Sequence, residues 1–245
     1  MLCYKMWRET RTRLLISATA LAWVCLAIVL TQKGNRAHAD PPLSYAAYIW
    51  KAVYKGYVRD FFLILVIVLG GGGILQERAH GTAGFTLSLP VSRCRLTFVR
   101  AAVGLAEVAL LALMPAVMLG ALSPQVGESY QLTQALRFSV LWTMGGAVLF
   151  GTSVLLSGIC AEEYSAWIVC FLSMMFYSAA VNITPLQRIP WLNFFKIMSG
   201  AEMPYFNSAD HLLVGPLPGL PLLILPAIAV GFVIIAARLS QRRDY

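Results

Sequence analysis

The sequence predicts an all-helical polytopic membrane protein, and its composition is the first observation that supports this. Hydrophobic residues make up 59% of the 245 residues, only 12% are charged, and the mean hydropathy is +0.72. Soluble domains contain about a quarter charged residues, so an ordinary soluble domain is excluded. Little sequence remains outside the apolar stretches, and we therefore expect one transmembrane domain over residues 1–245.

Six apolar stretches are the second observation, and they predict six transmembrane helices. A helix needs about 20 mostly apolar residues to cross a bilayer. The second stretch is short, and the fourth and fifth are nearly continuous. Although Ala37-His-Ala39 looks like a signal-cleavage site, it lies well past the first apolar run, so we expect that run to remain as a span. The stretches cover residues 14–31, 61–75, 101–123, 138–160, 165–182 and 217–237.

The flanks of the first span indicate its orientation. Residues 1–13 alternate basic and apolar side chains, which predicts an N-terminal interfacial helix or, equally well, a positively charged flank. Basic residues are about twice as dense on the side that holds both termini as on the other side. By the positive-inside rule, we expect a multi-pass protein of the plasma (inner) membrane with both termini in the cytoplasm.

Two connections on the predicted outer side contain more than linker sequence. Before the second span, four aromatic residues recur at helical spacing, which predicts an interfacial helix that continues into that span. These residues are Trp50, Tyr54, Tyr57 and Phe61. Lys51, Lys55 and Arg59 form a parallel basic stripe, which either anchors the helix or binds an anionic ligand. The aromatic-rich residues 183–216 predict short helices at the outer leaflet.

Enzyme chemistry is not expected on this chain. The run Gly70–Gly73 is followed by Ile74-Leu75, whereas a phosphate-binding loop needs Lys and Ser or Thr there. The run instead permits close helix approach or bending. Glu162 and Glu163 resemble part of the Glu-Glu-x-x-x-Arg motif of CAAX-type intramembrane proteases, but Trp167 occupies the arginine position. The five cysteines match neither a disulfide framework nor a metal site. Because the phosphate-binding loop and the protease motif are also incomplete, we expect no catalytic residue, metal or cofactor on this chain.

Glu107 is a carboxylate inside the third predicted span. It lies seven residues beyond Arg100, about two helical turns deeper on the same face. A carboxylate at that depth is costly unless it is paired, protonated or facing a wet cavity. Two interpretations fit: Glu107 reaches toward Arg100 or a neighbouring helix, or it lines a translocation path.

A polar, basic hairpin joins the second and third spans on the predicted cytoplasmic side. Thr82 is placed to cap a short helix that carries apolar side chains such as Phe85, and Pro90 is placed to end that helix. Ser92 is placed to cap the next helix. The apolar side chains of the hairpin either dock a soluble partner or bury in the inner leaflet, and these two interpretations are equally balanced.

This hairpin resembles the cytoplasmic loop of ABC-2 type transporter permeases. The resemblance is carried by Glu77-Arg, Gly81-Thr82, Phe85 and Leu87-Ser-Leu-Pro-Val-Ser-Arg93, and Cys94 departs from it. It implies a transmembrane subunit that docks a separate ATP-binding subunit, which would hold ATP and Mg²⁺. The implied coupling residues are Glu77, Gly81, Thr82, Phe85, Leu89, Pro90, Ser92 and Arg93.

The function that follows from the resemblance is export of an amphipathic or lipid-like substrate, such as a drug, an antimicrobial peptide or a lipid. Expected partners are an ABC ATP-binding subunit, a second permease subunit in a homodimer or heterodimer, and membrane lipid. Nucleic acid is not expected, because membrane-flanking residues account for the net charge of +8. The alternative is a non-transporting immunity or regulatory subunit with the same fold, and a secondary transporter is a weaker third.

Overall fold

Helices dominate the chain. The computed structural model describes residues 2–38, 43–71, 92–160, 163–183, 193–201, 203–207, 210–217 and 219–242. The helices are α1 Leu2–Ala37, α2 Tyr45–Ile49, α3 Tyr57–Gly70, α4 Arg93–Leu122, α5 Leu132–Ile159, α6 Glu163–Ala180, α7 Phe194–Ser199 and α8 Gly219–Arg242. A π-helical turn, Trp50–Tyr54, follows α2, and a 3₁₀ turn, Pro124–Val126, follows α4. Strands β1 Phe206–Asn207 and β2 Leu212–Leu213 pair antiparallel.

Four helices of the described chain are long and apolar enough to cross a membrane, namely α1, α4, α5 and α8. The predicted helical, membrane-embedded character is therefore confirmed, but the six predicted spans are not. Helix α6 is apolar yet shorter, and α3 has only 14 residues, or about 21 Å of helix. The second predicted span thus corresponds to a helix that ends at Gly70, well short of the usual spanning length.

Helix α5 forms the centre of the bundle, where it packs against α3, α4, α6 and α8. Its large side chains Phe138, Trp142 and Phe150 are fully buried. A Cβ on Gly146 would lie 2.9 Å from Val108 Cγ1 on α4 and 3.0 Å from Phe62 Cζ on α3. Glycine at this position therefore allows three helices to meet closely, which is how helices associate in lipid.

The helices run in two directions, which defines two sides of the bundle. We call the side where α1 begins the N-terminal side. Glu9 pairs with Arg100 there, and Arg36 pairs with Glu128 on the opposite side, so α1 and α4 run parallel. Helices α3, α5 and α8 run the other way. The chain therefore leaves α3 and enters α4 on the N-terminal side.

The predicted N-terminal interfacial helix is wrong as a separate element. Helix α1 continues without interruption for 36 residues, or about 54 Å. Neither glycine nor proline occurs between Leu2 and Thr31, so nothing in the backbone chemistry ends the helix before the apolar run begins. Residues 2–13 are the first turns of α1, which agrees with the alternative of a positively charged flank.

The predicted aromatic face before the second span is only partly confirmed. Trp50 and Tyr54 are buried, whereas Tyr57 is 84% exposed. The π-helical turn changes the helical phase, and the helix is interrupted at Lys55–Gly56 before α3 begins. A Cβ on Gly56 would lie 2.6 Å from the Lys51 carbonyl oxygen, so the break requires glycine.

Residues 45–54, α7 and the β1–β2 pair form a folded layer that we call the opposite-side cap. Trp50 stacks on Phe206 with 4.9 Å between ring centroids, and its Nε1 donates to the Ser199 carbonyl oxygen at 2.9 Å. Gln134 of α5 accepts from the Leu213 amide at 3.1 Å and donates to the Leu213 carbonyl at 3.0 Å. Helix α7 confirms the short helix predicted within residues 183–216.

Tyr205 gives the opposite-side cap a measurable pH dependence. Its hydroxyl is buried without a hydrogen-bond partner among the described residues, and burial raises the pKa of Tyr205 to about 12. Because the neutral phenol is favoured in the folded state, its contribution to stability is full below pH ~10 and is lost as the pH rises toward 12.

We expect the Tyr205→Phe variant to lose a tyrosinate absorbance step near pH 12, measured at 295 nm on the folded protein. The matched control is Tyr57→Phe, which removes an exposed phenol and should leave that step in place. An unchanged step in Tyr205→Phe would show that this phenol is not held neutral by burial.

Candidate functional site

Glu107 lies at the interface of α1 and α4, with its side chain fully buried. Thr10 on α1 donates its hydroxyl hydrogen to Glu107 Oε1 and also lies 3.1 Å from the Met6 carbonyl oxygen. Glu107 Oε2 is buried and has no hydrogen-bond partner among the described residues. An under-satisfied carboxyl group among apolar helices is costly, which marks this position as one to test for function.

Arg13 lies beside this carboxyl group and extends the cluster to a third helix. Its guanidinium attracts Glu107 electrostatically and lies 5.7 Å from the ring centroid of Trp167 on α6. Contacts between a guanidinium and an indole ring contribute about 0.5–2 kcal/mol, more when they are desolvated. We call Thr10, Arg13, Glu107 and Trp167 the N-side cluster.

Glu9 makes a second polar connection between α1 and α4. Its carboxylate pairs with Arg100 at 3.8 Å and with Lys5 at 3.6 Å. Glu9 precedes Thr10 directly, whereas Arg100 lies about 10 Å before Glu107 along α4. The prediction that Glu107 reaches a neighbouring helix is confirmed by its bond to Thr10. The path-lining interpretation stays a prediction.

The end of α3 packs against the N-side cluster with almost no free space. A Cβ on Gly71 would lie 1.9 Å from Trp167 Nε1, and a Cβ on Gly70 would lie 2.7 Å from Ser153 Cβ on α5. The predicted role of the glycine run in close helix approach is thus confirmed for these two residues. Gly72 and Gly73 lie outside the described residues.

The sequence-predicted coupling residues fall mostly outside the described part of the chain. This holds for Glu77, Gly81, Thr82, Phe85, Leu89 and Pro90. Ser92 is described, and its hydroxyl accepts from the Arg95 amide at 3.4 Å, which confirms it as the N-cap of α4. Arg93 is the first residue of α4. Segment 72–91 therefore joins Gly71, against Trp167, to a capped helix start on the same side.

Sequence reasoning missed Thr10, Arg13 and Trp167 as members of a site. The alternation of basic and apolar side chains in residues 1–13 does not show that Thr10 lies on the inward face of α1. A helical pattern was available, because Met6, Leu14 and Leu21 recur at spacings compatible with Thr10 and are all buried. In the sequence, Trp167 is notable only because it occupies the arginine position of the protease motif.

The basic residues of the predicted stripe before the second span are mostly engaged in local contacts. Arg59 donates to Asp60 Oδ1 from Nε at 3.0 Å and from Nη2 at 2.7 Å. Lys55 Nζ lies 5.1 Å from the ring centroid of Trp50, and Lys51 is exposed. The break at Lys55–Gly56 interrupts the predicted stripe, and the contacts of Arg59 favour anchoring over ligand binding.

A hydroxyl pair joins the cap to the end of α4, and an ion pair joins the end of α1 to the turn after α4. Tyr45 and Ser123 share a hydrogen bond of 2.6 Å between their hydroxyl oxygens, and burial is the main cause that raises the pKa of Tyr45. Arg36 Nη1 lies 2.5 Å from Glu128 Oε1. These contacts hold the C-terminal ends of α1 and α4, whereas the N-side cluster joins the same two helices toward their N-terminal ends.

Comparison with known proteins gives no family for this chain: no family model matches it, and no curated protein matches it significantly. Within the described residues, no group of three or more His, Cys, Asp or Glu side chains could hold a metal ion. The hairpin sequence and the geometry of the N-terminal side are the features of this chain that bear on function.

The Gly71–Trp167 contact yields a stability test. Gly71→Ala forces the indole to move, and we expect a loss of about 1–3 kcal/mol in stability, as for an overpacked core. The control Gly158→Ala adds a methyl group where nothing lies within 4 Å and should be neutral or stabilising. The readout is the temperature at which half of the solubilised protein loses its monodisperse size-exclusion peak.

A double variant makes this test specific. Trp167→Leu combined with Gly71→Ala should lose less stability than the sum of the two single changes, because the added methyl group then has room. Strict additivity would show that Gly71 does not depend on the indole.

Proposed function

We propose that this chain is the transmembrane permease subunit of an ABC exporter, which uses ATP hydrolysed by a separate subunit. The observation that carries the proposal is the ABC-2-like pattern of residues 77–93, at the point where the chain passes from α3 to α4. The described residues that flank positions 72–91, Gly71 and Ser92, lie on the N-terminal side of the bundle. A partner that grips the segment would thus act on two helices at once.

The N-side cluster supports this proposal because it connects α4 to α1 and the end of α3 to α6. Movement of α4 would be transmitted to α1 through the Glu9–Arg100 and Thr10–Glu107 contacts. Movement at the end of α3 would press on Trp167 of α6. In this proposal, closure of two ATP-binding subunits moves the hairpins of two permease subunits and reshapes the path between them.

The proposed orientation places the N-terminal side in the cytoplasm, in the plasma (inner) membrane. Basic residues at this side support it by the positive-inside rule. Among the described residues they include Lys5, Arg8, Arg11, Arg13, Arg95, Arg100 and Arg238. The proposed substrate is amphipathic or lipid-like, because the predominantly apolar bundle offers surfaces suited to such a molecule.

The first test is purification of the chain from its native membrane, comparing wild type with Phe85→Asp. We expect an ATP-binding subunit to co-purify with wild type and to be lost with the variant, because a charge replaces the apolar contact. Phe85→Leu is the matched control and should retain the partner. If no ATP-binding protein accompanies wild type, the non-transporting immunity or regulatory subunit becomes the better explanation.

Glu107 allows a path-lining role to be separated from a structural one. Glu107→Gln keeps an oxygen that accepts from Thr10, so we expect stability to stay within about 1 kcal/mol of wild type. If Glu107 lines the path, ATP-dependent loss of a fluorescent amphipathic dye from proteoliposomes should fall several-fold. Thr10→Val is the control that removes the hydrogen bond and keeps the carboxyl group. Normal dye loss in Glu107→Gln would leave Glu107 a structural role only.

A further inference from the structure

One face of α1 is basic near its start and apolar farther along. Arg8 and Arg11 are followed on this face by Leu15, Ala18 and Ala22, at spacings of three or four residues. Both arginines are exposed, and neither forms an ion pair with another described residue. The face therefore offers two free guanidinium groups directly beside apolar surface.

The apolar part of this face is one wall of a groove between α1 and α4. The groove has a volume of about 320 Å³ and is open on one side. Ala18 and Ala22 leave room, and Trp23, Met114 and Met118 border it. The hydroxyl of Thr19, which also lines the groove, donates to the Leu15 carbonyl oxygen at 2.8 Å. Its lining thus favours an apolar occupant with an adaptable shape, since methionine side chains adjust readily.

The dimensions match one leaflet of a bilayer. From Leu15 to Leu26, which both line the groove, α1 rises about 16 Å, and half of a hydrocarbon core is about 15 Å. Arg11 lies about 6 Å before Leu15 along the same helix, and Arg8 lies about one turn farther. An acyl chain in the groove would therefore place its phosphate at the level of the arginines.

We propose that this face of α1 binds an anionic phospholipid of the surrounding membrane, with one acyl chain in the groove and the phosphate between Arg8 and Arg11. Arginine binds phosphate through paired hydrogen bonds as well as charge. The acyl chain gains little by leaving other lipid tails, which are equally apolar. The headgroup charge must therefore decide which lipid is bound. The proposal does not depend on the transport function.

Trp23 supplies a probe inside the site, because it borders the groove and is 66% exposed. The full chain is reconstituted in phosphatidylcholine, and brominated phosphatidylglycerol or brominated phosphatidylcholine is titrated in as a quencher. The Trp23 signal is the difference between wild type and Trp23→Phe. We expect half-quenching at a roughly fivefold lower mole fraction of the anionic lipid.

Two pairs of variants test the two parts of the site. Arg8→Gln with Arg11→Gln should abolish the preference, whereas Arg95→Gln should keep it. Arg95 is exposed on the same side, but about 120° around α4 from Met114 and Met118. Ala22→Phe should fill the groove and lower quenching by both lipids. Ala27→Phe adds the same volume at an exposed position of α1 about 140° around the helix from Ala22 and should not lower quenching.

Two results would overturn the proposal. Equal quenching of wild type by the two lipids would mean ordinary boundary lipid without headgroup selection. Absence of quenching by both would mean that protein, such as a second copy of the chain, covers the groove.

Discussion

The close contact of α5 with its neighbours is the interaction on which the rest of the structure depends. In lipid the hydrophobic effect does not hold helices together, so packing distance and polar contacts must do so. Gly146 admits Val108 and Phe62, and a Cβ on Gly151 would lie 2.9 Å from the Ala229 carbonyl oxygen on α8. Small residues on one helix thus fix the positions of α3, α4 and α8, and through them both sides of the bundle.

The two sides of the bundle are stabilised differently. The opposite-side cap uses aromatic stacking and buried hydrogen bonds, such as those of Trp50 with Phe206 and Ser199. The N-terminal side instead places charged and polar groups between helices, with Glu107 under-satisfied among its described neighbours. The charged contacts of Glu9 and Glu107 between α1 and α4 thus lie on the side of the bundle where the segment proposed to receive a partner begins and ends.

Local sequence signals predicted those features whose causes lie within a few residues. The Ser92 cap and a short helix in residues 183–216 follow from capping and composition, and both are observed. Tyr57 was assigned to the wrong face because the π-helical turn shifts the helical phase, and hydrophobic spacing assumes an unbroken 3.6-residue period. Trp167 could not be placed in the site, because its contact with Gly71 joins residues 96 positions apart.

The sequence by itself determined that the protein is helical and embedded in a membrane, since apolar composition over long stretches requires intrahelical backbone hydrogen bonds in lipid. It also marked Glu107 as an expensive residue, because a carboxyl group at that depth is costly unless a partner, a proton or water compensates it. Only the tertiary structure decided that partner, Thr10, and brought Arg13 and Trp167 beside it. Each of these contacts depends on how closely separate helices approach, and that distance is set by packing around α5.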